Sequence, residues 1–122
     1  MMRRLVYFLL FATAACATQE APTAGPAAEP HYAGLDANER AHAEAALQEA
    51  LETHLSGAPL RWSASDDTAG SVVPLRTFRI ATGHYCRDFR ETVVASGETR
   101  DRQATACRDG KGIWHRVEPP AS

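Results

Sequence analysis

The sequence predicts an α+β domain in which one N-terminal helix packs on an antiparallel sheet of about five short strands carrying a cross-strand disulfide. Three observations lead there. Residues 36–56 repeat Ala and Leu at helical spacing. After Pro59 the pattern changes to short runs of β-branched and aromatic residues separated by Gly, Pro and polar turns. Two of the three cysteines, Cys86 and Cys107, flank a segment that reads as a single β-hairpin.

The helix spans Asp36 to Ser56. Asp36 is a good N-cap and Glu39 stands three residues on, close to a capping box, while Gly57 and Pro59 mark the stop. Ala43, Leu47, Ala50, Leu51, His54 and Leu55 fall on one narrow stripe, and its alanines allow close approach to a sheet. Arg40, Glu44, Gln48, Glu49 and Glu52 are expected to face water. That acidic polar face argues for docking on the strands, because helices lying on membrane surfaces carry Lys and Arg there.

Leu60 and Trp62 alternate with Arg61 and Ser63, Ser65 to Gly70 reads as a polar loop, and Ser71 to Ala81 as a strand. Pro74 within that strand argues for an edge position or a bulge. Thr82-Gly83 turns the chain into the hairpin, and Asp109 to Gly112 turns it again into a last strand, Ile113 to Val117.

In the hairpin, Ser96-Gly97 is a two-residue signal for a primed turn. With those residues as the loop, Ala95 faces Glu98, and counting outward places Cys86 opposite Cys107. Alternation makes the cysteines a non-hydrogen-bonded pair with Cα atoms about 4.5 Å apart, inside the range a disulfide needs. A single bulge would spoil this register. The bridge closes about twenty residues, worth about 3 kcal/mol in the chain-entropy account, and implies an oxidising compartment. The same count puts Tyr85, Phe89, Val93, Ala104 and Ala106 on the helix face. It also puts Glu91 opposite Arg102 and Val93 opposite Arg100, so the tip is expected to project into water with an exposed, weak ion pair. Asp88, Arg90, Thr92, Asp101, Gln103, Thr105 and the disulfide fall on the other face, where Trp114 is placed to cover the disulfide if the preceding loop allows.

The front of the chain reads as an export signal. Arg3-Arg4 precede an apolar run from Leu5 to Ala15, too short for a bilayer that needs about twenty residues. Thr13-Ala14-Ala15-Cys16 resembles the lipobox of bacterial lipoproteins, which makes Cys16 the expected lipidated, palmitate-bearing first residue of the mature chain. Thr13 departs from the usual Leu, and the alternative is ordinary cleavage after Ala14 or Ala17. Ala17 after the cysteine implies the outer membrane by the sorting rule of Gram-negative lipoproteins. Residues 16–34 then form the lipidated cysteine and an Ala/Pro-rich tether, about 25 Å long as a coil and about 55 Å as polyproline II. His31 and Tyr32 stand where docking would begin. Residues 35–117 form the domain and residues 118–122 a tail.

The formal net charge of −2 hides an asymmetry: residues 16–57 hold seven acids and one base, residues 58–122 ten bases and eight acids. That mild excess excludes nucleic acid as an expected partner, since phosphate backbones call for a concentrated positive field. No nucleophile elbow, His-Glu-x-x-His or phosphate loop is present, and the histidines lack metal-ligand spacing, so no enzyme, cofactor or metal site is expected. Catalytic dithiols sit close in sequence at helix starts, which leaves Cys86 and Cys107 a structural role. The open question is the hairpin arginines. Arg87, Arg90, Arg100, Arg102 and Arg108 are candidate contacts for an anionic ligand on cell-envelope polymers, against the alternative that neighbouring acids neutralise them.

Leu35-Asp36 opening an Ala/Leu helix, Trp62, the Gly70 to Pro74 step, Gly83-His84-Tyr85-Cys86-Arg87-Asp88-Phe89, Ala106-Cys107-Arg108 and Gly112-Ile113-Trp114 together resemble the bacterial 17 kDa surface antigen family of envelope lipoproteins. The resemblance covers about residues 35–117, and its most specific part is the pair of Cys-Arg motifs with the following Gly-x-Trp. Two departures stand out. An Ala/Pro tether replaces the glycine-zipper segment of many relatives, so membrane insertion by such a segment is not implied. Asp66-Asp67 stands where relatives often place Asn and Gly. The family has no established biochemical activity, so the resemblance implies an address and a fold pattern. The expected function is a non-enzymatic, lipid-anchored envelope module, facing periplasm or cell surface, that binds the membrane through its anchor and an envelope polymer or protein. The alternative is a periplasmic binding or inhibitor protein acting on a secreted enzyme such as a lysozyme.

Overall fold

The computed structural model describes residues 30–117, so the export signal, Cys16, most of the tether and the tail lie outside the described residues. A 3-10 turn (Pro30–Tyr32) leads into helix α1 (Ala37–Thr53). Five strands follow: β1 (Leu60–Ser63), β2 (Thr68–Arg79), β3 (Tyr85–Ala95), β4 (Glu98–Arg108) and β5 (Trp114–Arg116). They form one antiparallel sheet in sequence order, and α1 packs across one face of it. The α+β architecture with its cross-strand disulfide is therefore as the sequence predicts. No helix among the described residues is long and apolar enough to cross a membrane.

The β3–β4 ladder carries the expected register from Ala95 opposite Glu98 to Cys86 opposite Cys107, without a bulge. Ser96 and Gly97 both take positive φ, at 50° and 80°, the backbone a primed two-residue turn demands and which glycine adopts freely. The cysteines are bonded, with Cα atoms 4.0 Å apart. The β2–β3 ladder shifts register between Pro74 and Arg76, and β1 pairs only as far as Val72. Pro74 thus sits at a bulge and beyond the last β1 pair, where its carbonyl accepts the Gly57 N–H at 2.7 Å. The loop after Ser63 is shorter than its composition suggests, because Thr68 to Gly70 already pair with β3.

Asp36 caps α1 with a full capping box: its side chain accepts from the Glu39 N–H at 2.7 Å, and the Glu39 carboxylate accepts from the Asp36 N–H at 3.1 Å. The helix ends at Thr53, three residues early. Leu55 therefore leaves the stripe and is 80% exposed, while Ala46 joins Ala43, Leu47, Ala50 and Leu51 in the core. The main core sets Leu47, Ala50 and Leu51 against Val72, Phe89, Ala106 and Trp114, and a second cluster joins Tyr32, Leu35 and Ala43 to Val93.

Two expectations fail here, each for its own reason. The hairpin tip does not project into water, because residues 30–35 fold over it and bury Val93 and Glu91 completely. Composition places residues 30–34 in the tether, with docking beginning near His31 and Tyr32, and Tyr32 together with Leu35 supplies enough apolar surface to seat the whole segment. Trp114 does not cover the disulfide. It pairs with Arg108, one residue out of step with Cys107, so strand alternation turns its indole to the helix face and leaves His115 opposite Cys107.

Trp62 and Gly70 form a cross-strand pair in which the indole lies over the glycine. A Cβ at Gly70 would overlap the Thr92 carbonyl oxygen and sit 2.6 Å from the Trp62 ring. The expected outcome of Gly70→Ala is a destabilisation of about 1–3 kcal/mol, measured by urea unfolding. An unchanged midpoint would show that the Thr92 backbone and the indole make room at no cost.

Candidate functional site

Strand alternation separates the five hairpin arginines. Arg90 projects from the outer face of the sheet, where it is exposed and lines a shallow hollow with Asp101 and Gln103. Arg87, Arg100, Arg102 and Arg108 all belong to the helix face, since Arg87 is in phase with Phe89 and the even-numbered residues of β4 pair with the odd-numbered residues of β3. They form no single patch. Each meets a different part of the N-terminal half.

Arg87 closes the helix. It is buried, and its Nη1 donates to the carbonyls of Leu51 and His54, both at 2.8 Å. The last turn of α1 contains no basic residue, so this strand residue satisfies carbonyls the helix cannot and places a cation at the negative end of its dipole. Burial lowers the affinity of Arg87 for its proton. Its Nε is buried without a hydrogen-bond partner.

Arg100 and Arg102 hold the docked segment. Arg100 donates to the carbonyls of His31 and Ala33. Arg102 donates through Nε and Nη2 to Glu91 Oε1, at 2.9 and 2.6 Å, and the Tyr32 hydroxyl donates to Glu91 Oε2. Arg116 donates to the Tyr32 hydroxyl at 3.3 Å and to Glu44 at 3.1 Å, and both guanidinium carbons lie 5.2 Å from the Tyr32 ring centroid. The Glu91–Arg102 pair is thus not the exposed, weak contact its position near the turn suggests. Glu91 is 0% exposed because the 3-10 turn covers it, and a buried carboxylate stripped of a partner is costly. Burial pushes the Glu91 carboxyl up against the opposing pull of Tyr32 and Arg102, and burial together with the Glu91 charge pushes the Tyr32 phenol far up.

Arg108 ties the base of the hairpin to the helix. Its Nε and Nη2 donate to the two oxygens of Glu52, at 3.0 and 3.1 Å, and Trp114 Nε1 donates to Glu52 Oε2 at 2.8 Å. These contacts lower the affinity of Glu52 for a proton and raise that of Arg108, with the Arg108 hydrogen bond the leading cause for Glu52 and the Glu52 hydrogen bond for Arg108. One turn earlier, the Gln48 amide brackets the backbone of β5, accepting from the Trp114 N–H at 2.9 Å and donating to its carbonyl at 2.6 Å. Glu44, Gln48 and Glu52, expected in water, are an i, i+4, i+8 row that meets β4 and β5. The readable signal was an acid–amide–acid row bordering the apolar stripe, opposite a basic hairpin.

The turn before β5 is set by Asp109, whose Oδ1 accepts the N–H groups of Lys111 and Ile113 while Oδ2 meets His115 Nε2 at 2.6 Å. These bonds, led by Ile113, hold its carboxyl down to about 2. Among the described residues, no group of His, Cys, Asp and Glu is placed to hold a metal. The connections between strands span two to five residues, so none of them supplies the protruding loop that a cleft-blocking inhibitor would use.

Two outcomes test this geometry. Tyr32→Phe is expected to cost about 1–3 kcal/mol in urea unfolding by leaving Glu91 short of a donor; a change within about 0.5 kcal/mol would show that the hydroxyl does not hold the segment. The depressed Asp109 carboxyl contributes stability that is present above its ordinary value of 3.8 and is lost as pH falls toward about 2. The stability difference between the parent and Asp109→Asn is therefore expected to shrink across that interval, followed by unfolding at successive pH values.

The chain matches the family model described as "17 kDa outer membrane surface antigen" over residues 49–115. It is 41% identical over 86 residues to the 17 kDa surface antigen of Rickettsia japonica, covering 70% of this chain and 54% of that protein. The 17 kDa surface antigen of Rickettsia conorii is 41% identical over 85 residues, 69% of this chain and 54% of that protein, and that of Rickettsia bellii 38% over 86 residues, 70% and 54%. The chain spans about half the length of these relatives. No solved structure matches it. The matched segment runs from the last turns of α1 to β5 and includes Trp62, Gly70, both Cys-Arg pairs and Trp114. The chain belongs to the 17 kDa surface antigen family, and with it to the proteins of the cell envelope.

Proposed function

We propose that this chain is an envelope lipoprotein, exported by its N-terminal apolar segment, acylated at Cys16 and held by residues 17–29 at the outer membrane. Its folded domain acts without catalysis as an interaction module for an envelope polymer or protein, with no role in binding nucleic acid. The observation that carries this reading is Thr13-Ala14-Ala15-Cys16 at the end of an apolar run, in a member of a family described as outer membrane surface antigens. One acyl chain anchors only marginally, so the several chains of a bacterial lipoprotein belong to the proposal. The disulfide fits export to an oxidising compartment.

The docked segment gives the anchor a mechanical consequence. Tyr32 and Leu35 are bound to the tip half of the sheet, so the tether pulls on the domain at one defined end. The Tyr32–Glu91–Arg102 contacts then carry the strain of anchoring, which suits a module presented in one orientation.

The test is the intact mass of protein purified from membranes of an expressing Gram-negative host, beside Cys16→Ser. The expected result is a chain beginning at Cys16 with added acyl mass, two thiols appearing only after reduction, and loss of the acyl mass in Cys16→Ser. A chain cleaved after Ala14 or Ala17 without acyl mass would overturn the anchor.

A further inference from the structure

The end of the sheet away from the docked segment carries a second feature. Arg87 and Val93 lie six residues apart on β3, about 20 Å at strand rise, so the contacts of Arg87 with the helix C-terminus and those of Val93 with Tyr32 mark opposite ends of the domain. At the Arg87 end a cavity of about 230 Å³ opens between α1 and the bases of β2, β3 and β4. Its apolar walls are Leu51, Tyr85 and Trp114, and its charged groups are Glu52, Arg87 and Arg108. Tyr85 is 49% exposed at the mouth. Leu55, Ile80 and Ile113, which follow the helix end, end β2 and precede β5, leave further apolar surface uncovered at this end.

We propose that this groove binds the C-terminal residue of a polypeptide partner ending in a large apolar side chain such as Phe or Leu. Three features select that occupant. The cavity is smaller than the roughly 300–1,000 Å³ of pockets that enclose drug-sized molecules, so it accepts one large side chain and not a long acyl chain. Two guanidinium groups face one carboxylate across it, which leaves positive charge for a second carboxylate. Glu52 already occupies the fork of Arg108 and the indole N–H of Trp114, and so displays the contacts an incoming carboxylate would make. Arg87 lines the same groove as a cation whose Nη1 is held by the Leu51 and His54 carbonyls and whose Nε is buried. A polypeptide is favoured over a free small acid because Leu55, Ile80 and Ile113 extend apolar surface beyond what a single residue in the cavity could cover.

This inference is independent of lipidation, and its test uses the full chain carrying Cys16→Ser, which bears no acyl chain at that position whether or not Cys16 is acylated in the parent. Acetyl-Gly-Gly-Phe with a free carboxylate, its C-terminal amide and N-acetylphenylalanine are titrated while ¹H–¹⁵N spectra follow the Trp114 indole and Arg87 Nε–H signals. The peptide acid is expected to shift both signals, to bind about tenfold more tightly than the amide, and to bind more tightly than N-acetylphenylalanine. Glu52→Gln frees Arg108 and is expected to strengthen binding of the acid about two- to fivefold with no effect on the amide. Tyr85→Ala, a change at a half-exposed position, is expected to weaken both. Absence of shifts with the acid, or equal binding of acid and amide, would overturn the proposal, and equal binding of the peptide acid and N-acetylphenylalanine would overturn the assignment to a polypeptide end.

Discussion

The β3–β4 register is the constraint on which the rest of this domain depends. It joins Cys86 to Cys107, and by strand alternation it sends Arg87, Phe89, Glu91 and Val93 to the same face as Arg100, Arg102, Ala104, Ala106 and Arg108. Slipped by one residue, β3 and β4 would offer the helix Asp88, Arg90, Thr92 and Asp101 in place of Phe89, Val93, Ala104 and Ala106. The disulfide and the two-residue turn pin the ladder at both ends, so the slip is opposed covalently at the base and conformationally at the tip.

What that face offers is unusual for a core of this size. Phe89, Val93 and Ala106 are interleaved with arginines, and the domain satisfies them by aiming each at a different group: helix carbonyls for Arg87, carbonyls of the docked segment for Arg100, the buried Glu91 of β3 for Arg102, and Glu52 of the helix for Arg108. Two acids of the front take part directly, Glu44 with Arg116 and Glu52 with Arg108. Arginine suits the task because its fork makes several directed bonds at once and its ordinary proton affinity is high enough to keep it charged when partly buried.

The two ends of the sheet are built differently. At the tip, the segment that follows the tether is locked by Tyr32 over a buried ion pair. At the base, the helix stops early, Leu55 and Tyr85 stay uncovered, and a groove lined by two arginines remains open. In the proposed reading, attachment and recognition sit at opposite ends, so that a tethered domain would hold one end toward the membrane and offer the other.

By itself the sequence determined whatever depends on neighbours along the chain or across one turn: the capped helix, the hairpin and its pairing of Cys86 with Cys107, the irregularity at Pro74, and the separation of core from outer residues on β3 and β4. Such features follow from backbone geometry, where a period of two or 3.6 residues and a turn signal suffice. Only the tertiary structure decided the fate of the charged and amphipathic residues. Glu91 is buried because residues 30–35 return over a strand that lies far along the chain. Trp114 faces the helix because the Asp109 turn sets its phase with Arg108, and Gln48 and Glu52 meet strands instead of water for the same reason. Long side chains reach partners across several ångströms in any direction, so their pairing depends on which elements are adjacent in space, and that adjacency exists only once the helix has been laid on the sheet.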